Sequence, residues 1–270
     1  MNQPLAYVHP QAKIANNVVI EPFVTIHKNV EIGEGTWIGS NVTIMEGARI
    51  GKNCKIYPGA VISANPQDLK YNGEDTLTLI GDNTTIREFV TINKGTRANI
   101  ETIVGNNCLL MAYVHVAHDC IVGNNCILAN NVALAGHIKV DDYANLGGLV
   151  AVNQFVNIGA HVYIAGGSLV RKDIPPYTKA AREPISYVGI NSIGLRRRGF
   201  STEKINEIQD IYRTVFLKGY NSTQALSIIE AEMPATPERD EILSFISGSG
   251  KGIMKGYSGL GERKRPSRED

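Results

Sequence analysis

Apolar residues recur along this chain with a period of six. Isoleucine occupies Ile14, Ile20, Ile26, Ile32, Ile38, Ile44, Ile50, Ile56 and Ile62 without a gap. The phase resumes at Ile80, Ile86 and Ile92 and runs from Val104 through Leu110, Val116 and Val122 to Val170. Of the 27 slots between 14 and 170, 24 hold Ile, Leu or Val; the others are Asp68, Glu74 and Ala98. Two places before each slot runs a second row of small or apolar residues, among them Ala12, Val18, Val24, Ala60 and Val132. Positions i and i+2 of a strand share a face, so each hexapeptide reads as a short strand with two inward residues. Six residues do not return a 3.6-period helix to one face, which excludes a helical reading. Glycine often follows the slot (Gly33, Gly51, Gly105, Gly123), with Asn nearby; both accept the positive φ of a sharp corner. Three such faces close a parallel β-helix coil. Residues i and i+18 then stack about 4.8 Å apart, and the 27 slots make nine coils.

The spacing stays a multiple of six across both interruptions, Ile62 to Ile80 and Ile92 to Val104. Segments 63–79 and 93–103 therefore read as loops that leave the prism without disturbing its phase. A polar loop on a rigid scaffold is a usual place for function. The repeat stops at the prolines of DIPPY (173–177). Helix signals follow: Ser201 or Thr202 caps a run ending before Gly219, a second run covers 222–233, and a third covers 236–246 with proline in its first turn. The expected organisation is a β-helix over 1–177, a linker over 178–200, a helical domain over 201–256 and a disordered tail over 257–270.

Composition narrows the function classes. Lys plus Arg (27) balances Asp plus Glu (26), so no overall basic field points to nucleic acid. No apolar run approaches the roughly 18 residues of a membrane span, and the first residues lack the basic and apolar regions of a secretory signal. None of the four cysteines forms a C-x-x-C pair, and all lie in the inward row, which reads them as core residues. These features predict a soluble, cytoplasmic protein.

Side chains fill the interior of such a prism, so chemistry must sit outside it. Segment 112–137 holds His115, His118, Asp119 and His137. One coil beyond His118 is Gly136 and a second coil beyond is Gln154, so the three stack in line. A histidine takes a proton near neutral pH, an adjacent carboxylate fixes its tautomer, and a glycine amide one coil away donates to an oxyanion. That set suits general-base acyl transfer. A zinc site using His115 and His118, or a plain surface histidine–carboxylate pair, fits the same spacing. No G-x-S-x-G elbow supplies a serine nucleophile, so the base would activate a substrate hydroxyl or amine directly.

The prism together with NPQDLKY (65–71), HVAHDC (115–120), LAGH (134–137), NQF (153–155), DIPPY and GLRRRGFS resembles the UDP-N-acetylglucosamine O-acyltransferase family of lipid A synthesis, from about residue 5 to 256. The resemblance implies a left-handed β-helix, a homotrimer with sites between subunits, and no cofactor or metal. It implies transfer of an R-3-hydroxyacyl group from acyl carrier protein to the 3-hydroxyl of UDP-N-acetylglucosamine. In this likeness His118 matches the base, Asp119 its orienting partner and Gly136 the oxyanion glycine. Asp68 and Lys70, with Gln67 beside them, match sugar-nucleotide contacts, and His115 and His137 match histidines of the same cleft. Gln154, Asn191, Arg197 and Arg198 match positions near the acyl or nucleotide groups, and Gly166 matches one that sets acyl-chain length. Asn153 and Asn93 stand where the family usually has histidine. The same chemistry on a 3-amino sugar, and a zinc-binding protein of carbonic-anhydrase type, are the alternatives.

Overall fold

The computed structural model describes residues 4–256. Twenty-five short strands, from Tyr7–Val8 to Leu169–Val170, wind into a left-handed parallel β-helix. The three faces form sheets of nine, eight and eleven strands. Most strands are only two residues long, because every hexapeptide also contains a corner. Non-glycine residues hold positive φ at these corners, including Asn17, Asn53, Asn107 and Asn125 at φ 60°, 53°, 55° and 57°. Asparagine enters this region at lower cost than other side chains, since its short amide bonds locally.

The slot residues fill the interior: Ile26, Ile38, Ile44, Leu110 and Leu134 have no solvent-accessible surface. All four cysteines are buried and unpaired within the same core, as the inward row requires. Full burial of each Ile or Leu stabilises by about 1.5–3 kcal/mol before entropy is subtracted.

The coil count differs from the one the slots predict. Ile44 pairs with Ile62, but Ile62 pairs with Ile92, and Ile92 with Val116. The first excursion therefore adds 12 residues to one coil and the second adds six to another. Asp68, Glu74 and Ala98 lie in these excursions, so the other 24 slots build eight coils rather than nine. Two carboxylates and a lone methyl cannot replace isoleucine inside, and the chain loops outward there. The loops are tighter than expected, since strands Val61–Ala64, Leu77–Ile80 and Glu101–Val104 extend into both predicted segments.

The stretch 178–200, expected as a linker, is structured. Thr178–Ala181 continues the third sheet beside Tyr163–Ile164, then turns back antiparallel as Ser186–Ile190. Helix α1 (Ser192–Arg197) follows, capped by Asn191. The hexapeptide phase has ended by then, so its period could not reveal these strands. Helices α2 (Thr202–Phe216), α3 (Ser222–Glu232) and α4 (Pro237–Ser247) are capped by Ser201, Asn221 and Thr236. Helix α2 ends three residues before Gly219. It docks on the prism through Tyr212, fully buried, whose hydroxyl donates to the Pro176 carbonyl at 2.6 Å. Lys255–Gly256 then pairs with Ser186–Tyr187. The expected tail over 257–270 lies outside the described residues. No described helix is long and apolar enough to cross a membrane.

Candidate active site

His118 and Asp119 sit on the corner between the first-face strand His115–Val116 and the second-face strand Ile121–Val122. Asp119 holds φ 60°, the corner's left-handed conformation. Both side chains are almost inaccessible, 6% and 3% exposed, so their contacts are fixed by packing. His118 Nδ1 lies 2.7 Å from Asp119 Oδ2. An ionised carboxylate only accepts, so Nδ1 carries the proton and Nε2 is left basic. Asp119 is held in turn by the second loop: Thr96 N donates to Oδ1 at 2.8 Å and Thr96 Oγ1 to Oδ2 at 2.7 Å. Thr102 Oγ1 accepts from the Asp119 N–H at 2.8 Å.

Burial pushes the Asp119 carboxyl up. The Thr96 hydroxyl and amide, with His118 and His137, outweigh it and hold the group below the ordinary carboxylate range. Asp119 therefore stays an anion beside the imidazole, the state that orients the base.

The predicted stack forms. A Cβ placed on Gly136 would lie 2.6 Å from His118 Cε1 and 2.8 Å from Nε2, so only glycine lets the imidazole sit this close. Among the described residues the Gly136 N–H has no backbone acceptor. His137 Nε2 lies 3.5 Å from Asp119 Oδ2, and its ring stacks on Phe155 at 4.8 Å. Asp68 comes in from the first loop, with Oδ2 at 3.9 Å from His118 Nε2. Its Oδ1 accepts from Lys70 N at 2.9 Å.

A cleft of about 340 Å³ opens here, lined by Asp68, Lys70, Thr96, His137, Gln154 and Phe155 among others. Gln67 and Asn153 are exposed and do not line it. His115 Nδ1 lies 2.7 Å from Thr91 Oγ1. Burial, and then repulsion from the nearby His118 when that ring is protonated, lower its pKa. Asn93 is 2% exposed and donates from Nδ2 to the Asn65 carbonyl at 3.2 Å, tying the first loop down.

The remaining predicted residues do not join this cleft within one chain. Asn191, Arg197 and Arg198 line a separate cavity of about 770 Å³ on the third face, with Asn145, Tyr163 and Lys179. Asn191 Oδ1 caps α1 at Gly194 N, and its Nδ2 donates to the His161 carbonyl at 2.9 Å. Arg198 lies over the Tyr143 ring at 5.0 Å and donates to the Tyr143 carbonyl at 3.2 Å, a packing role. Gly166 lies on the corner after the third face, where a Cβ would be 3.0 Å from the Gly148 carbonyl oxygen.

Sequence reasoning missed Thr96, Thr102 and Phe155. Thr102 was legible as a hydroxyl in the inward row. Thr96 had no signal, because its loop breaks the period that aligned everything else.

Of the two residues the metal reading named, only His118 joins a cluster of candidate ligand atoms. His118, Asp119 and His137 bring their ligand atoms within 4.8 Å of one another, whereas His115 is engaged with Thr91. Both Asp119 oxygens already accept hydrogen bonds, so the cluster is a satisfied network around a base.

A histidine–carboxylate pair on the outer corner of a hexapeptide prism defines an acyltransferase of the hexapeptide class. The model for bacterial transferase hexapeptides matches residues 101–136, and that for domain 2 of UDP-N-acetylglucosamine O-acyltransferase matches 173–254. An acyl-[acyl-carrier-protein]–UDP-N-acetylglucosamine O-acyltransferase of Janthinobacterium sp. (strain Marseille) is 45% identical over 257 residues, covering 93% of this chain and 98% of the relative. One from Alkalilimnicola ehrlichii is 46% identical, with the same two shares. The crystal structure of a UDP-N-acetylglucosamine acyltransferase from Bacteroides fragilis superposes with a TM-score of 0.93 at 53% identity, over 94% of this chain and all of that one. That of Francisella novicida gives 0.91 at 42%, over 94% of each. The chain belongs to the UDP-N-acetylglucosamine O-acyltransferase family.

Proposed function

We propose that this enzyme moves an R-3-hydroxyacyl chain from acyl carrier protein to the 3-hydroxyl of UDP-N-acetylglucosamine, with His118 as general base. One observation carries the reading: a buried His118–Asp119 pair whose free Nε2 faces a glycine that only a missing Cβ allows so close. The relatives' names supply the two substrates, acyl carrier protein and UDP-N-acetylglucosamine.

In the reaction His118 Nε2 removes the proton of the sugar hydroxyl as its oxygen bonds to the thioester carbonyl carbon. Asp119 stabilises the resulting imidazolium, and the Gly136 N–H donates to the oxyanion. Collapse breaks the carbon–sulfur bond, and the imidazolium returns its proton to the leaving thiolate, regenerating the base. Asp68 and Lys70 position the sugar nucleotide, with Gln67 at the loop's outer side. His115, His137, Asn153 and Gln154 line or flank its path. Gly166 sets acyl length.

Asn191, Arg197 and Arg198 lie on and beside α1 at the third face, and Gly166 on the corner after that face, so a second copy is needed to bring such groups to His118. This supports a homotrimer with sites between subunits. The absence of a membrane-spanning helix among described residues is consistent with a cytoplasmic enzyme.

The test is His118→Ala. Its kcat should fall by about 10²–10⁴-fold, with melting temperature and oligomeric state preserved. Full activity in a folded variant would remove His118 from the mechanism.

A further inference from the structure

The chain beyond α4 returns to the prism, and a single buried residue receives it. Asp173, with no accessible surface, accepts from Ser249 Oγ at its Oδ2 (2.6 Å), and its carbonyl accepts from Met254 N (2.9 Å). Its own N–H donates to the Gly252 carbonyl at 3.1 Å, and its Oδ1 accepts from Asn157 N at 2.8 Å. Asn157 lies two residues past Phe155, so one carboxylate ties the returning strap to the coil that carries Gln154 and Phe155. Lys172 Nζ adds a bond to the Lys251 carbonyl at 2.6 Å. Gly252, at φ 69°, makes the turn that a residue with a Cβ would strain.

This clamp brings Lys251 to Phe155, a residue that lines the cleft. Its Nζ lies 5.8 Å from the centroid of Phe155, the ring that stacks on His137 and lines the cleft. A cation–π contact uses none of the three ammonium donors, and no carboxylate pairs with Lys251 among the described residues. Of the two long cationic side chains that line the cleft, Arg97 is paired with Glu74 at 4.0 Å, whereas Lys70 pairs with no carboxylate among the described residues. An unpaired, anchored ammonium beside an acyl-transfer cleft matches an anionic group on a substrate. Under the acyl-transfer reading, on which this inference rests, both substrates carry phosphate: the sugar nucleotide in its diphosphate, the donor in its phosphopantetheine arm.

We propose that Lys251 is an anion-binding residue of the transfer site, held over Phe155 by the Asp173-anchored strap so that its ammonium contacts a substrate phosphate.

The experiment measures steady-state kinetics of the full chain and its Lys251→Met and Lys251→Arg variants, titrating UDP-N-acetylglucosamine and 3-hydroxyacyl carrier protein separately. Lys251→Met should raise the KM of one substrate about tenfold, the scale of one lost charge-assisted hydrogen bond. Its kcat should stay within about threefold of the parent, and Lys251→Arg should recover most of the loss. A rise confined to the sugar nucleotide assigns the diphosphate. A rise confined to the donor assigns the carrier arm, and the effect should then vanish with an acyl-pantetheine lacking the phosphate. Ser249→Ala, which loosens the strap but keeps the ammonium, should move the same KM by a smaller factor. Unchanged KM values for both substrates in Lys251→Met, with an active parent enzyme, would overturn the proposal alone. A parent enzyme that transfers no acyl group would overturn the acyl-transfer reading and this inference with it.

Discussion

The proposed base is defined by what surrounds it more than by its own identity. His118 is one of six histidines in the chain. Only at His118 do an adjacent carboxylate, a glycine one coil away and two loops converge. Thr96 matters most among the supports, because it donates twice to Asp119 and so keeps the carboxylate ionised against its burial. Replacing Thr96 by valine removes the hydroxyl bond and leaves the backbone bond. The expected result is a loss of about 1–2 kcal/mol in stability, a higher Asp119 pKa by NMR titration, and about a tenfold fall in kcat at unchanged KM. A rise in KM alone, with kcat unchanged, would make Thr96 a substrate contact instead. His118, Asp119 and Gly136 were legible in the sequence because an 18-residue step lines up whatever it connects. Thr96 was not, since a loop's return point depends on contacts across coils rather than on spacing.

At the scale of elements, the prism's corners carry their own chemistry. Near the C-terminal end the asparagine corner gives way to rings: Tyr143, His161 and Tyr177 stack at 4.8 and 5.5 Å, and Phe200 meets His161 edge-on at 5.2 Å. This ladder joins the last coils to the segment leading into α2. Burial, and then the positive charge of Arg198, push the His161 pKa down to about 4, against a weaker opposing pull from Asp142. Its Nδ1 is buried without a partner, so the folded state favours the neutral ring. The stability this gives is complete above the ordinary histidine pKa of about 6.5 and is lost as pH falls from there through about 4. The drop in melting temperature between pH 7 and pH 4 should therefore be smaller in His161→Phe than in the parent. An equal drop would show that the ladder tolerates a charged ring. The corner column and its period were readable from sequence; the strands at 178–190 were not, because they follow sheet pairing after the repeat has ended.

For the whole molecule, the decisive fact is that one chain splits its candidate groups between separate faces. Asp68, His137 and Gln154 line one cleft beside His118, while Asn191 and Arg197 line a cavity on the third face and Gly166 lies on the corner after it. The proposal that sites are shared between copies makes a measurable prediction. Assemblies re-formed from a mixture of His118→Ala and Arg197→Ala chains should regain activity that neither parent variant has, because some interfaces then combine two intact halves. Activity no greater than the sum of the separate variants would place the complete site within one chain.

The register of the prism carries a last consequence. The sequence is read in frames of six, and both loops are in-frame insertions, one of two units and one of a single unit. Length can change here without cost to anything downstream. An insertion of one residue in a corner would act like a frameshift: every later Ile, Leu or Val would move off the inward position, and outward strand residues such as Glu31 or Lys139 would take its place. Damage would then grow with the number of coils that follow. The first coils of the prism, those before Ile62, are therefore where a small insertion is least tolerable, although they line no part of the cleft beside His118.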